Sequence, residues 1–151
     1  MIFRSLRTVS FRNLADIDVD TGGREIFLIG KNGQGKTNFL EALYFSAYAS
    51  SFRGVRDGEL ARTGEKDFSV FAALSPGDDN QVLVKCQGGK KSVLFNGKRV
   101  EDRKDLLSVI PCIVFCHEDM EFVAGTPERR RWFFDQCLSL CDPLYLDDFR
   151  R

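Results

Sequence analysis

Gly30-Lys31-Asn32-Gly33-Gln34-Gly35-Lys36-Thr37 fits the pattern G-x-x-x-x-G-K-[ST] at every fixed position. Its flanks carry the context that such a pattern needs. Upstream, Glu25-Ile26-Phe27-Leu28-Ile29 is a short apolar block behind Gly22 and Gly23, which predicts a buried parallel strand. Downstream, Phe39, Leu40, Leu43 and Tyr44 recur at helical spacing, which predicts a helix opening near Lys36 and fading near Ala49-Ser50-Ser51. Gly33 and Gly35 admit positive φ and close backbone approach, so that successive N–H groups can turn inward around a phosphate. The helix start adds its positive dipole end and its unpaired N–H groups. On this pattern Lys36 reaches the β- and γ-phosphates, and the Thr37 hydroxyl coordinates Mg²⁺. A glycine-rich turn that only caps a helix is the alternative. The joint occurrence of strand signal, fixed positions and helix signal favours a nucleotide-binding loop.

The 151 residues suffice for one domain or slightly more, with 43% hydrophobic and 29% charged residues, a globular balance. Lys plus Arg and Asp plus Glu both number 22, so no whole-molecule basic field points to nucleic acid. Contact with DNA would need local clusters. No apolar stretch approaches the roughly 18 residues of a membrane span, and Met1 to Arg7 lacks the apolar core of a signal peptide. A cytoplasmic chain with no membrane partner and reduced thiols is expected. Cys112/Cys116 and Cys137/Cys141, with His117 adjacent, suggest a metal site only superficially. The C-x₃-C spacing differs from that of zinc ribbons, and Pro111 to Cys116 reads as a buried strand in which cysteine acts as a small hydrophobe.

Along the chain, Leu6, Val9 and Phe11, then Ile17 and Val19, predict two early strands. Residues 52 to 67 form a polar connection. Phe68 to Leu74, Gln81 to Cys86 and Lys91 to Phe95 predict an antiparallel meander, closed by the hairpin signal Asn96-Gly97 before Lys98-Arg99-Val100. Asp102 to Val109 predicts a short helix. Thr126-Pro127-Glu128 opens another, continued by Trp132, Phe133, Gln136, Cys137 and Leu140, and Asp142-Pro143 opens a last one. No helix terminator follows, so the last helix reads as cut within the element.

Four stretches together resemble the RecF family, bacterial recombination mediators in the structural-maintenance-of-chromosomes (SMC) branch of the ABC ATPases. They are Ser10-Phe11-Arg12-Asn13; Gly30 to Glu41; Ser51-Phe52-Arg53 through Arg56-Asp57-Gly58-Glu59-Leu60; and His117-Glu118-Asp119-Met120 through Gly125-Thr126-Pro127-Glu128-Arg129-Arg130-Arg131-Trp132-Phe133-Phe134-Asp135. The resemblance covers essentially the whole chain. Departures from the family pattern are His117 for proline, Met120 for leucine and Phe134 for leucine. Family members are more than twice as long. Neither a Walker B strand with its acidic pair nor an ABC signature motif is found here.

The resemblance implies an α/β fold: lobe I of an ABC/SMC-type P-loop ATPase over 1–122, with an antiparallel β-subdomain near 68–100 and the start of a helical lobe II over 123–151. It implies ATP and Mg²⁺ as cofactors, an ATP-dependent homodimer, and DNA at single-strand/double-strand junctions as a partner. RecO and RecR are the implied protein partners, in recombinase loading for DNA repair and replication restart. Weak DNA-stimulated ATPase activity belongs to the family's dimer, and a chain without the Walker B and signature motifs should bind nucleotide without hydrolysing it efficiently.

The implied site comprises Gly30 to Asn38 with Arg12 and Asn13 against the nucleotide, although a surface turn explains those last two equally well. Arg53 is implied at the γ-phosphate, where a forked guanidinium suits phosphate oxygens; a solvated loop arginine is the alternative. Glu118 and Asp119 match the Q-loop position that reaches Mg²⁺ or its water, against a solvated acidic turn. Arg129, Arg130 and Arg131 are DNA candidates, or simply a solvated helix face. The rival functions are the ATPase lobe of another SMC/ABC-like repair or defence protein, and a P-loop small-molecule kinase.

Overall fold

Alternation of apolar and polar residues decides the sheet. In β3 (Phe68–Ser75) the inward residues are Phe68, Val70, Ala72 and Leu74, and in β4 (Gln81–Gln87) they are Val82, Val84 and Cys86. Their register sets Val70 opposite Val84, Ala72 opposite Val82 and Phe68 opposite Cys86, so one face is continuously apolar. β5 (Lys90–Phe95) and β6 (Lys98–Arg99) complete the meander expected over 68–100. Its tight turns, Gly88-Gly89 and Asn96-Gly97, have positive φ at both central residues, the geometry that lets two strands keep their twist across a two-residue loop. β1 (Ile2–Val9) pairs antiparallel with β3 and carries β2 (Asp18–Asp20) on its other edge. One antiparallel six-stranded sheet results, in the order β2-β1-β3-β4-β5-β6. The meander is therefore continuous with the N-terminal strands.

This computed structural model describes residues 2–75, 80–102, 106, 109–115, 125–141 and 145, with the backbone alone at 132, 136 and 139–141. The helix α1 (Lys36–Tyr48) covers the apolar face of the sheet. Phe45 meets Phe11 and Phe68 with ring centroids 5.9 and 5.5 Å apart, and Phe11 lies edge-on to Phe68 at 5.5 Å. Ala49, at φ 48°, ends α1 in the left-handed conformation where the chain turns away. A 3₁₀ turn at Asp57–Leu60 supplies Leu60 to the same core. The second helix, α2 (Pro127–Cys141), begins where Thr126-Pro127 predicts. The Glu128 carboxyl is held below the usual carboxylate range by its own backbone N–H and then by the Thr126 hydroxyl.

Two expectations fail. Glu25 to Ile29 forms no strand: Ile26, Phe27 and Ile29 are 46%, 78% and 93% exposed. Residues 111–115 likewise form no strand, and Ile113 and Phe115 are both 72% exposed. The reason is common to both. A parallel strand is stable only between covered neighbours, and neither segment pairs with a described strand. The helix expected from the spacing of Phe39, Leu40, Leu43 and Tyr44 is present as α1, whose buried residues are Glu41, Ala42, Phe45, Ser46 and Ala47, while Leu40 is 46% exposed. A helix apolar on two sides does not itself say which side the sheet will take. Of the helix expected at Asp102 to Val109, Asp102, Leu106 and Val109 are described; the last two are helical and Asp102 lies in a bend. Glu118, Asp119, His117, Cys116 and the helix start expected at Asp142-Pro143 lie outside the described residues. No helix among the described residues is long and apolar enough to cross a membrane.

Two predictions follow from this core. Phe45→Ala should lower stability by about 3–5 kcal/mol in urea denaturation, since it empties the centre of the aromatic cluster. Burial pushes the Cys112 thiol up from an ordinary 9.0 to about 11. A raised acid pKa contributes stability that is complete below the unfolded value and is lost as pH rises through the folded one. Urea midpoints should therefore hold up to about pH 9 and fall toward pH 11. Cys112→Val should flatten part of that fall.

Candidate phosphate-binding site

The site begins at the junction of loop and helix. Gly35, at φ 95°, caps α1 without a side-chain hydrogen bond, and the first turn holds no acidic residue. The first intrahelical bond runs from Phe39 N to Gly35 O at 2.8 Å, so the N–H groups of Lys36, Thr37 and Asn38 are left without helical partners. An uncapped helix N-terminus is an anion site in waiting. Gly35 is also required sterically, because a Cβ there would lie 2.9 Å from both Asn13 Oδ1 and Leu14 Cδ2. At Gly33, φ 80°, a Cβ would meet nothing within 4 Å.

Lys36 folds back over the loop and donates from Nζ to Gly30 O and Lys31 O, both at 2.7 Å. Its charge is thereby stationed beside the open helix end. The Gln34 side chain closes on Gly30, where a Cβ would fall 2.8 Å from Oε1. A cavity of about 360 Å³ is walled by Asn32, Gly33, Gly35, Lys36, Thr37, Asn38 and Arg53. That volume falls within the range of small-ligand sites, and the polar wall groups include an ammonium, a guanidinium, a hydroxyl and amides.

Behind the wall runs a chain of side-chain bonds. Asn13 donates from Nδ2 to Gly33 O at 2.8 Å, and Asn38 donates to Asn13 Oδ1 at 2.7 Å. Arg53 Nη1 donates to Asn38 Oδ1 at 3.0 Å and lies 3.4 Å from Glu41 Oε2. Arg12 forks onto the same carboxylate, Nε to Oε2 at 3.0 Å and Nη2 to Oε1 at 3.1 Å, while its Nη1 donates to Glu59 O at 2.9 Å. Ser51 Oγ donates to Glu41 Oε1 at 2.5 Å and accepts from Arg53 N at 3.0 Å.

The geometry sorts the sequence candidates. Asn32, Gly33, Gly35, Lys36, Thr37, Asn38 and Arg53 share one cavity, and Gly30, Lys31 and Gln34 shape the loop beside it. Asn13 touches the loop from behind. Arg12 is not on the cavity wall; it is engaged with Glu41 and Glu59. Arg129, Arg130 and Arg131 are exposed on α2, where Arg131 pairs with Glu128 at 3.1 Å. Glu41 and Ser51 were not singled out from the sequence. The available signal was a lone carboxylate four residues after Thr37 in a helix otherwise rich in apolar residues.

No protein-family model matches the chain. In fold it is an SMC-type ATPase lobe: it superposes with a TM-score of 0.68 on a structure solved in work on ATP-driven dimerization and DNA stimulated activation of SMC ATPases. That match covers 91% of this chain and 99% of that one at 19% identity, a likeness of fold alone. A second structure, of the recombination mediator protein RecF-ATPrS in the RecFOR pathway, superposes with a TM-score of 0.83 at 28% identity, over 97% of this chain and 40% of that one. The DNA replication and repair protein RecF of Treponema pallidum is 44% identical over 144 residues, 94% of this chain and 41% of the relative. The similarity to that RecF runs over nearly the whole of this chain, which spans about 41% of the length of that curated relative.

Gly35→Ala and Gly33→Ala share the cost of positive φ, but only the first also drives a Cβ into Asn13 and Leu14. Urea denaturation should show Gly35→Ala as the more destabilising by at least about 1 kcal/mol.

Proposed function

We propose that this chain is the ATP-binding portion of a RecF-type recombination mediator acting in DNA repair and replication restart. The observation that carries the proposal is the convergence of an uncapped helix start, a positive-φ glycine loop, Lys36, Thr37 and Arg53 on one cavity. Loop and helix N–H groups would take the phosphate oxygens. Lys36 would exchange its two carbonyl acceptors for the phosphate tail, and Arg53 would meet that tail from the same cavity's wall. Mg²⁺ would supply charge neutralisation, held by the Thr37 hydroxyl together with the phosphates and assisted by Glu118 and Asp119. The wall groups are donors, which suits binding, and the proposal assigns them no hydrolytic step.

At the level of the whole family protein, the proposal extends to an ATP-dependent homodimer, to DNA at single-strand/double-strand junctions, and to RecO and RecR. The solved relative's place in a RecFOR pathway supports that extension. Residues 1–122 would form the ATP-binding lobe and 123–151 the start of a helical lobe, with Arg129 to Arg131 offered to DNA phosphates. A cytoplasmic setting fits such a role.

Isothermal titration with Mg-ATP tests the core of the proposal. The wild-type chain should bind, and Lys36→Ala should weaken binding by about 10²-fold or more while leaving the urea midpoint within roughly 0.5 kcal/mol of the parent. Equal affinity in the two proteins would refute the assignment.

A further inference from the structure

Glu41 is the one charged side chain fully buried among the described residues. A carboxylate taken out of water persists only when paired and hydrogen-bonded, and this one has both kinds of partner. Arg12 engages both oxygens in a fork, which neutralises Glu41 on its own. The charge of Arg53 is then left over. Glu41 nevertheless holds residue 53 at two points: directly at Nη1, 3.4 Å from Oε2, and through Ser51, whose Oγ donates to Oε1 and accepts from the Arg53 backbone N–H. Nε and Nη2 of Arg53 make no hydrogen bond among the described residues, and Arg53 lines the cavity together with Lys36 and Thr37. Asn38, the other acceptor of Nη1, ties this arrangement to the loop through Asn13 and Gly33.

We propose that Glu41 is a positioning residue for phosphate recognition. With its charge balanced by Arg12, it seats Arg53 so that an uncompensated guanidinium faces the phosphate cavity. The residue is buried, does not line the cavity, and acts through Arg53. This inference rests on the assignment of the cavity to a nucleotide, and it adds the group that orders the cavity's second cation.

A thermodynamic cycle tests it: Mg-ATP titrated into the wild-type chain, Glu41→Gln, Arg53→Ala and the double variant, with urea midpoints recorded for each. Glu41→Gln keeps the shape but removes the charge, and should weaken ATP binding by about tenfold, the weight of one charge-assisted hydrogen bond. Arg53→Ala should do the same, and the double variant should bind within about twofold of Arg53→Ala, because the two residues act as a unit. A carboxylate that served stability alone would give independent, multiplying losses. Undiminished affinity in either single variant, or full additivity, overturns the inference. If Glu41→Gln shows no cooperative unfolding transition, Ser51→Ala takes its place in the cycle, with the same outcomes expected and the same outcomes fatal. Absence of binding by the wild-type chain would overturn the nucleotide assignment and this inference with it; binding by the wild type with unimpaired Glu41→Gln overturns the inference only.

Discussion

The three-ring contact of Phe11, Phe45 and Phe68 is the constraint from which the site's geometry follows. Phe68 opens β3, Phe45 lies in the last turn of α1, and Phe11 sits just past the end of β1. Joining them fixes the helix against the sheet and, at the same time, brings residues 12 and 13 alongside the helix. Aromatic rings carry large apolar area and prefer tilted or edge-on arrangements, so the cluster defines an orientation as well as an attraction. Once α1 is docked in that rotation, its N-terminus opens to the cavity and Glu41 turns inward to Arg12.

Electrostatics then shape what the packing has placed. The helix start contributes unpartnered N–H groups, Lys36 an ammonium held by two loop carbonyls, and Arg53 a guanidinium anchored at one edge. The zero formal net charge of the chain is no obstacle, because the relevant charges sit within one cavity wall rather than across the surface. Short-range, partly shielded charge serves a phosphate better than a diffuse field, since solvent and salt screen the latter within about 10 Å.

Much of the scaffold was legible in the chain because its signals are local. Alternation over Phe68 to Leu74, the paired-turn signal of Asn96-Gly97 and the Thr126-Pro127 helix start each depend on neighbours in sequence, and each corresponds to an element observed. The loop was legible for the same reason: backbone freedom at Gly33 and Gly35 and the cation at Lys36 are properties of adjacent residues. Glu25 to Ile29 and Pro111 to Phe115 show where local signals fail. Their apolar character predicts burial, but a strand needs an edge to pair with, and apolar composition carries no information about whether one is present.

By itself, the amino-acid sequence determined the glycine-rich loop, the antiparallel strand set and the resemblance to RecF, because glycine placement, period-two alternation and motif identity are written along the chain. The tertiary structure alone decided which side of α1 is buried, that Arg12 serves a carboxylate instead of lining the cavity, and that Glu41 and Ser51 stand behind Arg53. Those relations join residues 10 to 29 positions apart, and only packing through a shared core brings such distant groups within hydrogen-bond range.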